Sequence, residues 1–389
     1  MSRLREMIKE LCPDGVEYCP IKDCVESVEK IEWKKTDETY RYIDLSSVDR
    51  DDHTIGETLE ISADDAPSRA QQVVKENDIL LGTTRPMLKR YCQIPSEYDN
   101  QICSTGFCVL RANNTRVLSR WLYHMISTTA FFDYVDRTQH GSSYPAISDK
   151  EVKAYDIPVP PLPIQNEIVK LLDNFTELTA ELTAELQLRK KQYSFYRDSL
   201  LNFSRDDVDV EWKTLGEMCR LKAGTAIAAL NISTNATADS AVPCYGGNGL
   251  RGYVRQANQS EDAPLIGRQG ALCGNVCYAT APYYATEHAV VVDGLGHFDN
   301  RFLFHILRNM NLSQYKTAGA QPGLSVKRLN QVHIAVPTIE AQKRIADVLD
   351  RFDALCNDLT QGLPAEIAAR KKQYEYYRDK LLTFQRKGA

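Results

Sequence analysis

The sequence predicts an α+β protein: two mixed α/β globular domains joined by two long antiparallel coiled-coil helices, related by a pseudo-twofold axis. Three observations predict it. One long helical segment occurs twice, at residues 164–203 and 341–384, with the block RKKQY at 189–193 and again at 370–374. Each copy carries an apolar seam of coiled-coil spacing. The segments that precede the copies also repeat each other, more weakly, and mix strand and helix signals.

In order, residues 1–160 form the first globular domain, 161–204 the first helix, 205–337 the second domain and 338–386 the second helix. Between the domains, GVEY (15–18) parallels DVEW (209–212), and LLG (80–82) parallels LIG (265–267). LYH (122–124) parallels LFH (303–305), and DIPVP (156–160) parallels HIAVP (333–337). The runs NDILLG and APLIG, punctuated by Gly and Pro, read as short strands, whereas WLYHMIS and RFLFHILRNM read as helices.

The first long seam runs from Ile164 to Phe203 in steps of 4-3-4-3-4-4-3-4-3-4-3. It has one extra step of four, a stutter, at the tandem TAELTAEL of 179–186. The second seam, Ile345 to Phe384, includes Leu359 and carries one further step of four, where Gly362 and Pro364 stand. Proline removes an intrahelical hydrogen bond, so the second helix should kink or restart there while the first runs through. A helix of about 40 residues is ~60 Å long and cannot bury such a seam alone. The two copies are therefore expected to pack on each other.

A chain of 389 residues predicts two or three domains, and its 43% apolar content suffices for real cores. The formal charge of −5 gives no whole-chain basic footprint, so any nucleic-acid role rests on local patches or partners. No apolar run approaches the ~20 residues of a membrane span, and MSRLREMIKELCPDG lacks a secretory signal. The expected location is the cytoplasm. The 11 cysteines show no C-x2-C pair and are expected to be reduced and buried, without a zinc site.

The apparent catalytic motifs of the chain are decoys. Asp14 with Glu32 and Lys34 imitates a metal-dependent nuclease pattern, which needs carboxylates and a lysine converging on a cation. Pro13-Asp14-Gly15 is a turn signal, however, and Glu32 lies in a charged run that suits a solvated face. No phosphate-binding GxxxxGK[ST] loop, no HExxH and no Asn/Asp-Pro-Pro-aromatic methyltransferase motif occurs. His124 and His305, inside apolar helical stretches, are expected to pack in the cores.

Recognition chemistry has better candidates. The second domain holds CYGGNGLRGYV (244–254) and LIGRQGALCGNVCYA (265–279). Asn248, Arg251, Arg268 and Gln269 offer the amide and guanidinium groups that read adenine and guanine edges bidentately. Tyr245 can stack or touch phosphate. The first domain places TTRPMLKR (83–90) at the equivalent position, with Arg85, Lys89 and Arg90. HGSSYP (140–145), with Ser142, Ser143 and Tyr144, matches AGAQPG (318–323), with Gln321. The two halves keep one framework while these loops differ, as two recognition surfaces for different sequences would.

The TAELTAEL helix, RKKQYxxYRDxLL, its twin GLPAEIAARKKQYEYYRDKLL, and the IPVP and YGGNGxxGY elements together resemble the specificity subunit of type I restriction–modification systems. The resemblance covers nearly the whole chain; its helical motifs are distinctive, while the globular halves match only in framework. It implies two target recognition domains, each binding half of a split sequence in double-stranded DNA. It implies that the paired helices act as a spacer and dock two methyltransferase subunits, to which restriction/translocase subunits add. S-adenosylmethionine, ATP and Mg would be used by those partners, this chain binding no cofactor, no metal and no membrane and having no catalytic residue. Two other readings stay open from residues alone: a two-headed coiled-coil adaptor without DNA specificity, and a nuclease built on Asp14, Glu32 and Lys34.

Overall fold

The computed structural model describes residues 2–205, 207, 209–270, 272–317 and 323–388. The chain divides into two compact units, Met1–Glu181 with Ile367–Ala389, and Leu182–Glu366.

Unit one begins with helix α1 (Ser2–Leu11) and strands β1 (Tyr18–Pro20), β2 (Val25–Glu26), β3 (Tyr40–Ile43), β4 (Leu59–Ile61) and β5 (Ala70–Val73). Next come β6 (Ile79–Gly82), β7 (Tyr91–Gln93), β8 (Ile102–Ser104) and β9 (Phe107–Ala112). Helices α2 (Ser119–Ile126), α3 (Thr129–Thr138) and α4 (Asp149–Lys153) precede β10 (Asp156–Pro158), which feeds α5 (Leu162–Leu201). β1 pairs antiparallel with β10. One sheet has the order β2-β9-β6-β7 and a second β4-β3-β8-β5, in which β3 and β8 run parallel. β6 is buried along its length, as its apolar run ILLG requires of a central strand. The main core gathers Ile79, Leu81, Trp121 and Phe131 with Ile164, Ile168 and Leu172 of α5 and Leu382.

Unit two repeats the plan with β11 (Val210–Thr214), α6 (Leu215–Met218), β12 (Arg220–Ala223), β13 (Val242–Gly246) and β14 (Gly249–Val254). Then come β15 (Ala263–Gly267), β16 (Val276–Ala279), β17 (Tyr284–Ala285), β18 (Ala289–Asp293), α7 (Asn300–Asn309) and α8 (Val326–Leu329). The unit continues through β19 (His333–Pro337) into α9 (Ile339–Asn357), and the chain then returns to unit one through α10 (Leu363–Leu381), which belongs to that unit from Ile367 on. β11 pairs with β19, one sheet has the order β12-β18-β15-β16, and β13 pairs parallel with β17. The GVEY/DVEW and DIPVP/HIAVP repeats thus form matching strand pairs, each leading into a long helix.

α5 runs unbroken through the TAEL tandem. The second helical segment stops at Asn357 and restarts at Leu363, as Gly362 and Pro364 require. Pro364 stands in the first turn of α10, where its missing N–H has no partner to lose. A Cβ on Gly362 would lie 2.5 Å from the Ala354 carbonyl oxygen, so no other residue fits that turn without displacement. One seam assignment fails here: Leu359 falls in the break and is 80% exposed.

Helix pairing is visible inside each unit. In unit one the Tyr18 hydroxyl, on the strand paired with β10, donates to the Phe384 carbonyl at 2.9 Å. α10 therefore ends where α5 begins, an antiparallel arrangement, and Phe175 stacks on Tyr377 at 5.5 Å. In unit two Phe203, beyond the end of α5, meets Phe302, whose helix is tied to the start of α9. There Tyr196 stacks on Phe352 at 5.5 Å. Both helices end before the last seam residue; Phe203 and Phe384 instead pack on Phe302 and Trp121 of the domains.

Candidate nucleic-acid interface

In unit one the loop after β6 and the loop before α4, distant in sequence, meet. Thr84 bridges Ala146, the Thr83 carbonyl accepts from Ile147 N–H at 3.0 Å, and Arg85 N–H donates to Pro145 at 2.7 Å. The Arg85 guanidinium lies 4.4 Å from the ring centroid of Tyr144, which is 71% exposed. Such a cation–π pair holds the cation over the ring without spending its outward donors. Ser142 and Ser143 are exposed beside it.

The other basic residues of this loop do different work. The Lys89 ammonium sits 4.9 Å from the Phe132 ring, toward α3. Arg90 donates to the Val48 carbonyl and is half-buried, so it ties two loops together.

Unit two joins the corresponding loops in the same way. Gln269 bridges Gly323, and the Arg268 carbonyl accepts from Leu324 N–H at 2.8 Å. Between them and the β13–β14 turn opens a cleft of about 710 Å³, lined by Asn248, Leu250, Arg251, Gln269, His288 and five glycines. A Cβ on Gly267 would stand 1.9 Å from the Gly247 carbonyl oxygen, so these glycines let the turn close directly on the end of β15.

Three of the residues singled out from sequence, Asn248, Arg251 and Gln269, therefore share one cleft. Arg268 lies behind it, half-buried, its backbone N–H bonded to the His288 carbonyl at 2.9 Å. Tyr245 packs edge-on against buried Tyr283 at 5.7 Å, and burial raises its hydroxyl pKa. Gln321 lies outside the described residues. His288 was missed; its Nε2 stands 3.1 Å from the Glu287 carboxylate, and only its place at the head of an apolar strand could have signalled it.

The decoy residues stay apart. Glu32 pairs with Lys35 at 2.7 Å on the surface, and no ion pair or hydrogen bond among the described residues joins Asp14 to Glu32 or Lys34. Nine of the 11 cysteines are buried and all are free thiols. His124 and His305 are buried as expected, yet each is hydrogen-bonded to an aspartate rather than simply packed. No helix among the described residues is long and apolar enough to cross a membrane.

A duplicated mixed domain, each copy presenting a polar loop pair on a helical arm, defines a duplicated binding frame. Comparison with known proteins gives it a family. Residues 7–189 and 207–369 each match the family described as type I restriction modification DNA specificity domain. The chain is 47% identical over 210 residues to the type I restriction enzyme EcoprrI specificity subunit of Escherichia coli, covering 53% of this chain and 52% of that one. It is 33% identical over 313 residues to the EcoR124I/EcoR124II specificity subunit of Escherichia coli, covering 71% and 73%. The chain thus spans about half the length of the first of these relatives. A solved chain from work on complex assembly and conformational transition of the type I R-M system superposes with a TM-score of 0.63. It is 23% identical, over 95% of this chain and 98% of that one, which supports the fold. The chain belongs to the type I restriction–modification specificity family.

Proposed function

We propose that the chain is the non-catalytic subunit that gives a type I restriction–modification complex its sequence specificity. Each domain, 1–160 and 205–337, reads one half of a split sequence in double-stranded DNA through its bridged loop pair. Asn248, Arg251 and Gln269 address base edges in one half-site. Arg85, with Tyr144, Ser142 and Ser143, addresses bases and phosphates in the other. The helical segments 161–204 and 338–386 act as spacer and dock two methyltransferase subunits, to which restriction/translocase subunits add. S-adenosylmethionine, ATP and Mg are used by those partners, which also supply much of the phosphate contact that a chain of charge −5 lacks.

The observation that carries this reading is the identical bridging of two loops in both units around different side chains. Two surfaces of one design with different chemistry suit two unlike half-sites. Exchanging residues 205–337 for another recognition domain, with methylated sites then mapped in a host that supplies the methyltransferase, tests it. One half-site should change and the other persist. Loss of both, or change in neither, would defeat the proposal, and absence of sequence-selective methylation with the partner present would favour an adaptor.

A further inference from the structure

Away from the loops, each unit holds a polar cluster that the reading above leaves unused. In unit one, Asp173 of α5 accepts hydrogen bonds from Arg120 Nε at 2.9 Å and His124 Nε2 at 2.9 Å. Arg120 and His124 stand one turn apart on α2, so a single carboxylate engages both. Arg120 also donates to Gln93 of β7 at 3.0 Å, and its guanidinium lies 4.2 Å from the Tyr123 ring centroid.

Unit two repeats the arginine, histidine and aspartate of this cluster. Asp350 of α9 accepts from Arg301 Nε at 2.9 Å and His305 Nε2 at 2.6 Å. The Arg301 guanidinium lies 4.3 Å from the ring centroid of Tyr278 on β16, the counterpart of β7. A second clamp is duplicated as well. Gln165, fully buried, accepts from Leu118 N–H at 3.0 Å and donates to the carbonyls of Arg116 and Pro160. Gln342, equally buried, accepts from Asp299 N–H at 2.8 Å and donates to His297 and Pro337.

These clusters join the edge strand of a sheet, a domain helix and the long helix in each unit. Partly buried ion pairs are a poor source of stability, since desolvation offsets much of their attraction. They are directional, however, whereas seam contacts among Leu, Ile and Phe accept small slides. A fully bonded polar network therefore fixes one arrangement among several of similar apolar burial. That the same network is built twice, while the loops diverge, argues for a geometric role.

We infer that Asp173 and Asp350 are positioning residues: each locks its recognition domain at one angle on its helix and so sets which half-site spacing the chain accepts. The inference rests on the specificity reading. Burial pushes both histidines below their ordinary pKa, which keeps them neutral with the proton on Nε2, facing the carboxylate. Nδ1 of His124 then accepts from the Tyr374 hydroxyl of α10 at 3.0 Å, so the lock in unit one gathers a third helix. The Tyr193 hydroxyl, at the matching place in unit two, is buried with no hydrogen-bond partner among the described residues.

The test uses the full chain with its methyltransferase in a host genome, scoring methylation at the native half-sites across all spacer lengths. Asp173→Asn and Asp350→Asn should each keep both half-site sequences but methylate sites with spacers one base pair longer or shorter. Relative to the native spacer, that off-spacer methylation should rise about tenfold, as expected for losing a charge-assisted hydrogen bond. Arg120→Lys, which keeps the charge but loses the fork, should relax spacing in the same direction and serves if the aspartate variants fail to fold. A uniform fall in methylation with an unchanged spacer profile in these variants would assign the clusters to stability alone and overturn the inference. A wild-type complex that methylates no split sequence would instead refute the specificity reading beneath it.

Discussion

Deleting residues 183–186, the second TAEL, isolates helix length from every other property of the chain. All eight residues of the tandem lie within the unbroken helix Leu162–Leu201. Removing four shortens it by ~6 Å at ~1.5 Å per residue and turns the C-terminal part of the helix by ~400°, only ~40° beyond a full turn. The seam survives: Leu182 takes the place of buried Leu186, and the stutter becomes regular 3-4 spacing. The Thr179 hydroxyl still bonds the Phe175 carbonyl, since both precede the deletion. At ~3.4 Å per base pair, ~6 Å corresponds to at most about two base pairs, and to about one if the helix is inclined to the DNA axis. The expected outcome is a preferred spacer shorter by one or two base pairs with both half-sites unaltered. Mapping methylated adenines in cells that carry the deletion and the methyltransferase checks it. Methylation that continues at the original spacer, or half-sites that change their bases, would exclude helix length as what sets the spacer.

Two further outcomes are expected. Arg85→Gly should leave the fold intact or slightly more stable, because Arg85 sits at φ 49°, a conformation that costs a side-chain-bearing residue about 1–2 kcal/mol. The same variant should weaken DNA binding by the assembled complex and lower its salt dependence by about one phosphate contact, measured by titration at several ionic strengths; unchanged affinity would remove Arg85 from the interface. Stability should also fall in acid. Burial depresses His124 and His305 and holds His53 to about 4, so the unfolded chain, with histidines near ~6.5, binds these protons first. The contribution is full above pH ~6.5 and is lost as pH falls toward 4, and a denaturant midpoint flat across that window would contradict it.

Much of this architecture is legible in the sequence because it is periodic or written twice. The break between α9 and α10 could be read from Gly362 and Pro364, since one lacks a Cβ and the other an N–H. The neighbourhood of Asn248, Arg251 and Gln269 could be guessed from glycines that allow close chain approach. What periodicity cannot give is direction. Leu359 fits the seam by spacing yet lies in the break. Arg90 and Tyr245 are of interface type, but one ties a loop and the other packs on Tyr283. Nor does spacing pair residues far apart in the chain: the aspartate partners of His124 and His305 lie 49 and 45 positions away. The repeat held that information, since LLDNF (171–175) and VLDRF (348–352) keep the aspartate where LYH and LFH keep the histidine.

The two loop frames agree down to single backbone positions, which separates what holds them from what they present. Gly82 N–H bonds the Arg90 carbonyl at 2.7 Å, and Gly267 N–H bonds that of Asn275 at 2.8 Å. Between these anchors, unit one turns left-handed at Arg85 and Lys89, and unit two at Gly270 and Gly274, the same two steps along each loop. Unit two fills both positions with the residue that adopts them freely. Unit one fills both with cations, against their backbone preference, although glycine would complete the turn at lower cost. A frame that tolerates glycine does not need arginine for folding, so what retains Arg85 is its side chain, held over Tyr144 at the surface. Variation that the shared backbone bonds do not require is thus concentrated in the loops proposed to meet DNA, while the clamps at Gln165, Gln342, Asp173 and Asp350 keep the same residues in both halves.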